Sequence, residues 1–165
     1  MGCPFSQSGP PPPLLMWHRR RMTPAQRSDR EFDVVVYGAT GFVGKLLSDY
    51  LARYAPAGTR IALAGRSEQK LVELRDTLVG AAVDWPVLVA DAADDVALDE
   101  LAKRTSVVVT TVGPYLKYGI PMVRACASNG THYADLTGEV LFVRQCIDDF
   151  DDIAKSSGAR IVNSC

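Results

Sequence analysis

From Phe32 onward, short β-branched runs alternate with stretches whose apolar residues recur every three or four positions. The runs are DVVVYG (33–38), RIALAG (60–65), WPVLVAD (85–91), SVVVTTVG (106–113), the weaker THYADLTG (131–138) and RIVNS (160–164). Apolar at successive positions, they suit strands covered by helices on both faces. Between the first two, Phe42, Val43, Leu46, Leu47, Tyr50, Leu51 and Tyr54 form one helical stripe. Later stripes follow at Leu71, Leu74 and Leu78, at Val96, Leu98 and Leu101, at Ile120, Val123 and Ala127, and at Val143, Ile147, Phe150 and Ile153. Strand and helix in such alternation build a parallel, doubly wound α/β sheet through right-handed crossovers. The strand order expected for it is 3-2-1-4-5-6.

The first thirty residues differ. SGPPPPLL and HRRRMTPAQRSDRE combine a proline run with basic residues and carry no period. Residues 1–30 are therefore expected to be a disordered extension, and 31–165 a single domain. Met22 is an alternative start that would remove much of the unpatterned stretch. LLMW is too short for a signal core and precedes the arginines, and no later run reaches the length of a membrane span. A solvated tail is the first reading of the basic extension, and peripheral contact with anionic lipid the second. A net charge of -1 gives no general pull toward nucleic acid. The four cysteines form no CxxC pair and there are two histidines, so no metal site is expected and a reducing cytoplasm fits.

YGATGFVGKLL, Tyr37 to Leu47, joins the first strand to the first helix. In that setting Gly38 permits the sharp turn, Gly41 leaves no Cβ between backbone and a pyrophosphate, and Gly44 lets helix pack closely on strand. The anion would sit on free N–H groups at the helix start, over Ala39, Thr40, Phe42 and Val43 as well as the glycines. The spacing is GxxGxxG and not GxGxxG, so the motif gains its weight from the strand before it and the helix after it. No Walker lysine follows, which disfavours a P-loop nucleotidase.

Arg66 and Ser67 end the second strand, about 20 residues beyond the glycine turn, where NAD-selective domains place an acid and an arginine instead accommodates a 2′-phosphate. Arg66 offers a planar fork and Ser67 a hydroxyl, so NADP(H) is the predicted cofactor of a Rossmann NAD(P)-binding domain. Asp91, closing the third strand, suits either the adenine or an N-cap of the next helix. Thr111, Val112, Gly113 and Pro114, after the fourth strand, would approach the nicotinamide end, with Tyr115 lining it.

Taken together, GATGFVG (38–44), LAGRS (63–67), TTVGPY (110–115), AC (125–126) and GTHYADLTGE (130–139) resemble the saccharopine dehydrogenase-like oxidoreductases, over about residues 30 to 165. Within them the chain is most similar to mycobacterial trans-acting enoyl reductases. The resemblance implies an NADPH-dependent reductase of a double bond on a polyketide-derived acyl chain, supplying in trans a step that a partner polyketide synthase lacks, on the way to cell-envelope glycolipids. It also implies a larger substrate domain beyond the segment matched here, so the chain reads as the cofactor part. An amino-acid reductase of the saccharopine type and a non-catalytic nucleotide-binding module are the alternatives.

No catalytic residue is assigned. None of the six tyrosines has a lysine four positions on. Tyr115 suits pocket lining better than proton donation, and Lys117 and Tyr118 read as a solvated helix start. His132, Asp135 and Glu139 form a polar cluster, read first as turn and cap bonding by Asp135 and Thr137 with His132 at a loop or strand edge, and second as acid–base or metal-ligating groups. The acidic run DDFDD (148–152) reads as a solvated helix face, and Cys126 and Cys146 as core.

Overall fold

The computed structural model describes residues 29–165. Six parallel strands form one sheet: β1 (Phe32–Tyr37), β2 (Ile61–Gly65), β3 (Val87–Val89), β4 (Thr105–Thr110), β5 (His132–Asp135) and β6 (Ile161–Val162). Their order is β3-β2-β1-β4-β5-β6, as the alternation predicts. The helices are α1 (Phe42–Tyr54), α2 (Glu68–Thr77), α3 (Asp95–Arg104), the single turn α4 (Tyr115–Tyr118), α5 (Ile120–Asn129) and α6 (Val140–Ser157). The extension expected over 1–30 lies outside the described residues up to position 28.

Because crossovers are right-handed, the helices divide between the faces. Val36, Ile61 and Leu63 meet Leu71, Leu74 and Leu78 of the α2 region, together with Leu47 and Leu51 of α1. Val35, Tyr37, Ala62, Ala64, Val108 and Tyr133 meet α3, α5 and α6 on the other face, through Leu98, Leu101, Met122, Val123, Phe142 and Phe150. No crossover carries a helix over the first face of β4 to β6. There Val107, Val109 and Ala134 are only half-buried, so cover on both faces, expected for every strand, holds for β1 and β2 and fails here.

Two helical stripes face differently from expectation. In α1, Gly44 and Ser48 are the buried positions, while Phe42 is 80% and Tyr50 58% exposed. The helix lies too close to β1 for large side chains, so small residues take the contact and the apolar stripe turns partly outward. In α6 the buried line is Phe142, Cys146, Phe150 and Ala154, and Ile147 and Ile153 are exposed. The acids of the run flank that line: Asp148 pairs with Arg144 and Asp151 with Lys155, both on the surface.

Arg30, which the sequence reading left in the extension, ties the bottom of the sheet together. Its guanidinium donates to the carbonyls of Ala102 (2.6 Å) and Lys103 (3.1 Å) at the end of α3, and to that of Thr105 (3.1 Å). It also reaches the Asn129 carbonyl at the end of α5 and the Thr131 hydroxyl (2.7 Å). A permanent cation at two helix C-termini satisfies carbonyls that have no partner within their helices and opposes the negative ends of both dipoles. Arg30→Ala is expected to lower stability by about 2–4 kcal/mol, because charge-assisted bonds are lost and the Lys103 and Asn129 carbonyls lose the guanidinium, while the Ala102 carbonyl keeps the Thr131 hydroxyl and the Thr105 N–H. Arg30→Lys should recover only part of it, lacking the planar fork. Urea unfolding followed by circular dichroism measures this, and an unchanged midpoint in Arg30→Ala would contradict it.

Candidate functional site

The C-terminal ends of β1 to β4 open onto a cleft of about 290 Å³. Tyr37, Gly38, Thr40 and Gly41 come to it from β1 and the turn after it, Gly65 and Arg66 from β2, Asp91 and Ala92 from β3, and Thr111, Val112, Gly113 and Tyr118 from the β4 side. This is the crevice at the carboxyl ends of the strands where the topology reverses direction from β1.

Its floor is the glycine turn. Gly38 has φ +83°, and a Cβ on it would meet Val112 Cγ2 at 2.6 Å. A Cβ on Gly44 would lie 2.2 Å from the Gly38 carbonyl oxygen and 2.8 Å from Ala39, so helix and strand touch backbone to backbone. At Gly41 a Cβ would find only the Gly38 oxygen, at 3.3 Å. Protein packing therefore demands glycine at positions 38 and 44, whereas at 41 a side chain would project into the cleft. Gly41 caps α1 with no side-chain bond, and there is no acid in the first turn. The first N–H groups of α1, which no helix can satisfy internally, are left for an acceptor from the cleft. The cradle thus fits a pyrophosphate.

The remaining predicted residues divide. Ala39 is fully buried with its N–H bonded to the Ala64 carbonyl (3.2 Å), so it offers the cleft no donor, and the side chains of Phe42 and Val43 are exposed, so these two offer backbone only. Arg66 is exposed at the rim and forms no ion pair among the described residues. Ser67 N-caps α2, its hydroxyl accepting from the Lys70 N–H (3.4 Å). Asp91 lines the cleft and accepts from the Ala93 N–H (2.9 Å), whereas the N-cap of α3 is Asp94. Pro114 follows Gly113 through a cis bond and caps α4. Tyr115 does not line the cleft: its ring is buried against Phe142 and its hydroxyl donates to the Thr110 carbonyl (3.3 Å). Burial holds that phenol above its ordinary range.

Two cleft groups, Tyr37 and Tyr118, escaped the sequence reading, and Thr111, expected at the nicotinamide end, takes a structural part as well. Tyr37 ends β1 with its ring in the core, and its hydroxyl is pushed up to about 12 by burial and then by the Asp91 charge, with Arg66 acting in the opposite sense. The Thr111 hydroxyl donates to the Gly38 carbonyl (3.1 Å), and its N–H to that of Tyr37 (2.9 Å), stitching β4 to the glycine turn. Tyr118, read as a solvated helix start, lines the wall, with the Lys117 ammonium 4.9 Å from its ring centre. A strand's last residue pointing inward and a hydroxyl bonding across strands have no local signature.

The polar cluster resolves as bonding within the fold. Asp135 is buried and accepts from the Tyr133 hydroxyl (2.8 Å), the Thr137 N–H (3.0 Å), the Asn163 amide (2.8 Å) and the Ser164 N–H (2.9 Å). His132 Nδ1 accepts from the Arg160 N–H (3.1 Å). Among the described residues no group of three His, Cys, Asp or Glu could hold a metal ion. Cys126 and Cys146 are buried in the core, and Cys165 is exposed. No helix there is long and apolar enough to cross a membrane.

Fold and cleft together define a dinucleotide-binding α/β domain. The saccharopine dehydrogenase NADP binding domain family matches residues 34–162, and the chain belongs to that family. A Mycobacterium tuberculosis protein is 57% identical over 136 residues, 82% of this chain and 32% of its own length. The trans-acting enoyl reductase of Mycobacterium ulcerans is 53% identical over 138 residues, covering 84% and 33%. The chain therefore spans about a third of the length of these relatives. Among solved structures, apo saccharopine dehydrogenase (L-Glu forming) from Saccharomyces cerevisiae superposes with a TM-score of 0.65 at 19% identity, over 81% of this chain and 27% of that one. A metagenomic short-chain oxidoreductase in complex with NADP gives 0.58 at 15% identity, over 81% and 80%. Both likenesses concern the fold.

The two kinds of glycine separate experimentally. Gly44→Ala is expected to cost about 2 kcal/mol or more through backbone overlap, while Gly41→Ala should change stability by about 1 kcal/mol or less. Gly41→Ala should nonetheless weaken dinucleotide binding roughly tenfold. Denaturant melts and cofactor titration check the pair, and equal instability in both variants would contradict the division.

The histidine supplies a pH test. Burial, and then the nearby Arg160 and Arg30 charges, hold His132 below its ordinary 6.5, so the folded state binds fewer protons than the unfolded one around that pH. Stability then rises with pH through this window and falls as pH drops below 6.5, as the unfolded chain takes up the proton first. Melting temperatures between pH 7.5 and about 5 should fall more steeply in the wild type than in His132→Leu, and parallel slopes would count against the assignment.

Proposed function

We propose that the chain is the NADPH-holding part of a trans-acting enoyl reductase, with the cleft over the glycine turn as its cofactor site. The observation that carries the reading is Gly41: it starts a helix that no side chain caps, and a Cβ there would meet only the Gly38 oxygen, at 3.3 Å, which leaves its backbone approachable by a diphosphate. The free N–H groups of α1 hold that diphosphate. Arg66, with the Ser67 hydroxyl beside it, takes the 2′-phosphate at the β2 rim. Thr111, Val112 and Gly113 form the apolar floor under the nicotinamide, and Tyr118 closes its side against water. When bound, the cofactor supplies a hydride, and the protein's task is to fix the ring that carries it.

The acceptor is the double bond of a polyketide-derived acyl chain, presented by a partner synthase, in the making of cell-envelope glycolipids. The relatives named as trans-acting enoyl reductases support this class. The cytoplasm suits the NADPH supply and the unpaired cysteines. With a net charge of -1, no nucleic-acid partner is assigned.

Titrating the protein with NADPH and with NADH, following the fluorescence of the bound reduced ring, tests the assignment. NADPH should bind at least roughly tenfold more tightly, and Arg66→Ala should remove most of that difference with little effect on NADH. Equal affinity for the two cofactors in the wild type would overturn the role of Arg66, and no binding of either would overturn the site. Consumption of NADPH with an enoyl thioester would distinguish a reductase from a module that only binds.

A further inference from the structure

We propose that Glu139 is a positioning residue for the nicotinamide end of the cleft, clasping α4 by its first two N–H groups and so fixing the wall that Gly113 and Tyr118 present. The inference rests on reading the cleft as a dinucleotide site. Its basis is a bond pattern far from the glycine motif. One carboxylate oxygen of Glu139 accepts from the Tyr115 N–H at 2.7 Å and the other from the Leu116 N–H at 2.9 Å. Charge-assisted bonds from both oxygens to successive amides set direction as well as distance.

α4 needs such a hold. It is four residues long, and the Pro114 side chain gives it no cap. One turn fixes several dihedrals for very few bonds of its own, so its orientation has to come from outside. At its far end it runs through Gly119 into α5, and at its start two anchors hold it: the Tyr115 ring in the core, and Glu139. The cleft lies at both ends of the turn, Gly113 before it and Tyr118 at its close, so a small tilt of α4 moves both.

Glu139 is itself placed by rigid structure. Its N–H donates to the Thr137 hydroxyl (3.0 Å), and the Thr137 N–H to the buried carboxylate of Asp135 at the end of β5 (3.0 Å). Bonds from Tyr133, Asn163 and Ser164 lock Asp135. No ion pair draws Glu139 elsewhere among the described residues, so its charge serves the two amides. A chain of bonds thus runs from the β5 and β6 edge to the cleft wall.

The test compares a whole cofactor with half of one. NADPH reaches the α4 wall, whereas 2′,5′-ADP, with its 2′-phosphate and a single 5′-phosphate, occupies only the adenosine side. Glu139→Ala is expected to weaken NADPH roughly tenfold and to leave 2′,5′-ADP within about twofold. Glu139→Gln, which keeps one acceptor, should fall between, and it carries the test if the alanine variant does not fold. The fluorescence gain of bound NADPH should drop in the same order. Equal weakening of both ligands would show a general structural role and overturn the proposal, as would unchanged binding of both. A wild-type protein that binds neither ligand would overturn the cofactor reading, and this proposal with it. Failure confined to the comparison between variants removes Glu139 alone.

Discussion

The site depends on one contact, the backbone of α1 against the end of β1. With the Gly44 Cα packed over the Gly38 carbonyl and Ala39, the helix begins directly at the mouth of the cleft, and its unsatisfied amides face inward. A longer approach, with side chains between helix and strand, would set those amides back from the crevice. Thr111 reinforces the geometry by bonding the same carbonyl from β4, so the turn is gripped from two sides. Arg66 then needs no special construction, because the parallel register of β1 and β2 brings the next strand end alongside.

The same contact explains what could be read in advance and what could not. Strand order was legible because a parallel sheet built by βα units writes its pattern into consecutive β-branched runs. Gly38, Gly41 and Arg66 were legible because a short motif carries them, in a context that the alternation supplies. The face of α1 was not, since the rule that apolar residues face the core assumes room for them, and here Gly44 and Ser48 occupy the interface. Tyr37 and Tyr118 as cleft groups, and the bonds made by Thr111 and Glu139, were missed for another reason. Their roles arise from partners brought near by folding, as with Glu139 reaching back to Tyr115 and Leu116 across the β5 loop.

The cleft wall and the sheet edge are correspondingly one structure. Asp135 gathers bonds from β5 and from the residues after β6, and passes order to Glu139 through Thr137. The half-covered face of β4 to β6 belongs to that same half of the sheet.

Arg30 has a consequence for where this polypeptide can be shortened. The domain's grip on its amino-terminal strand begins one residue before Glu31, with a side chain that bonds carbonyls from α3, β4 and α5. Ribosomal initiation at either Met1 or Met22 keeps that anchor, and so does proteolytic trimming as far as Asp29. A cut one residue later would strip the sheet of its only guanidinium shared by two helix ends among the described residues, and would loosen the foundation under β4 while leaving every cleft residue in the chain.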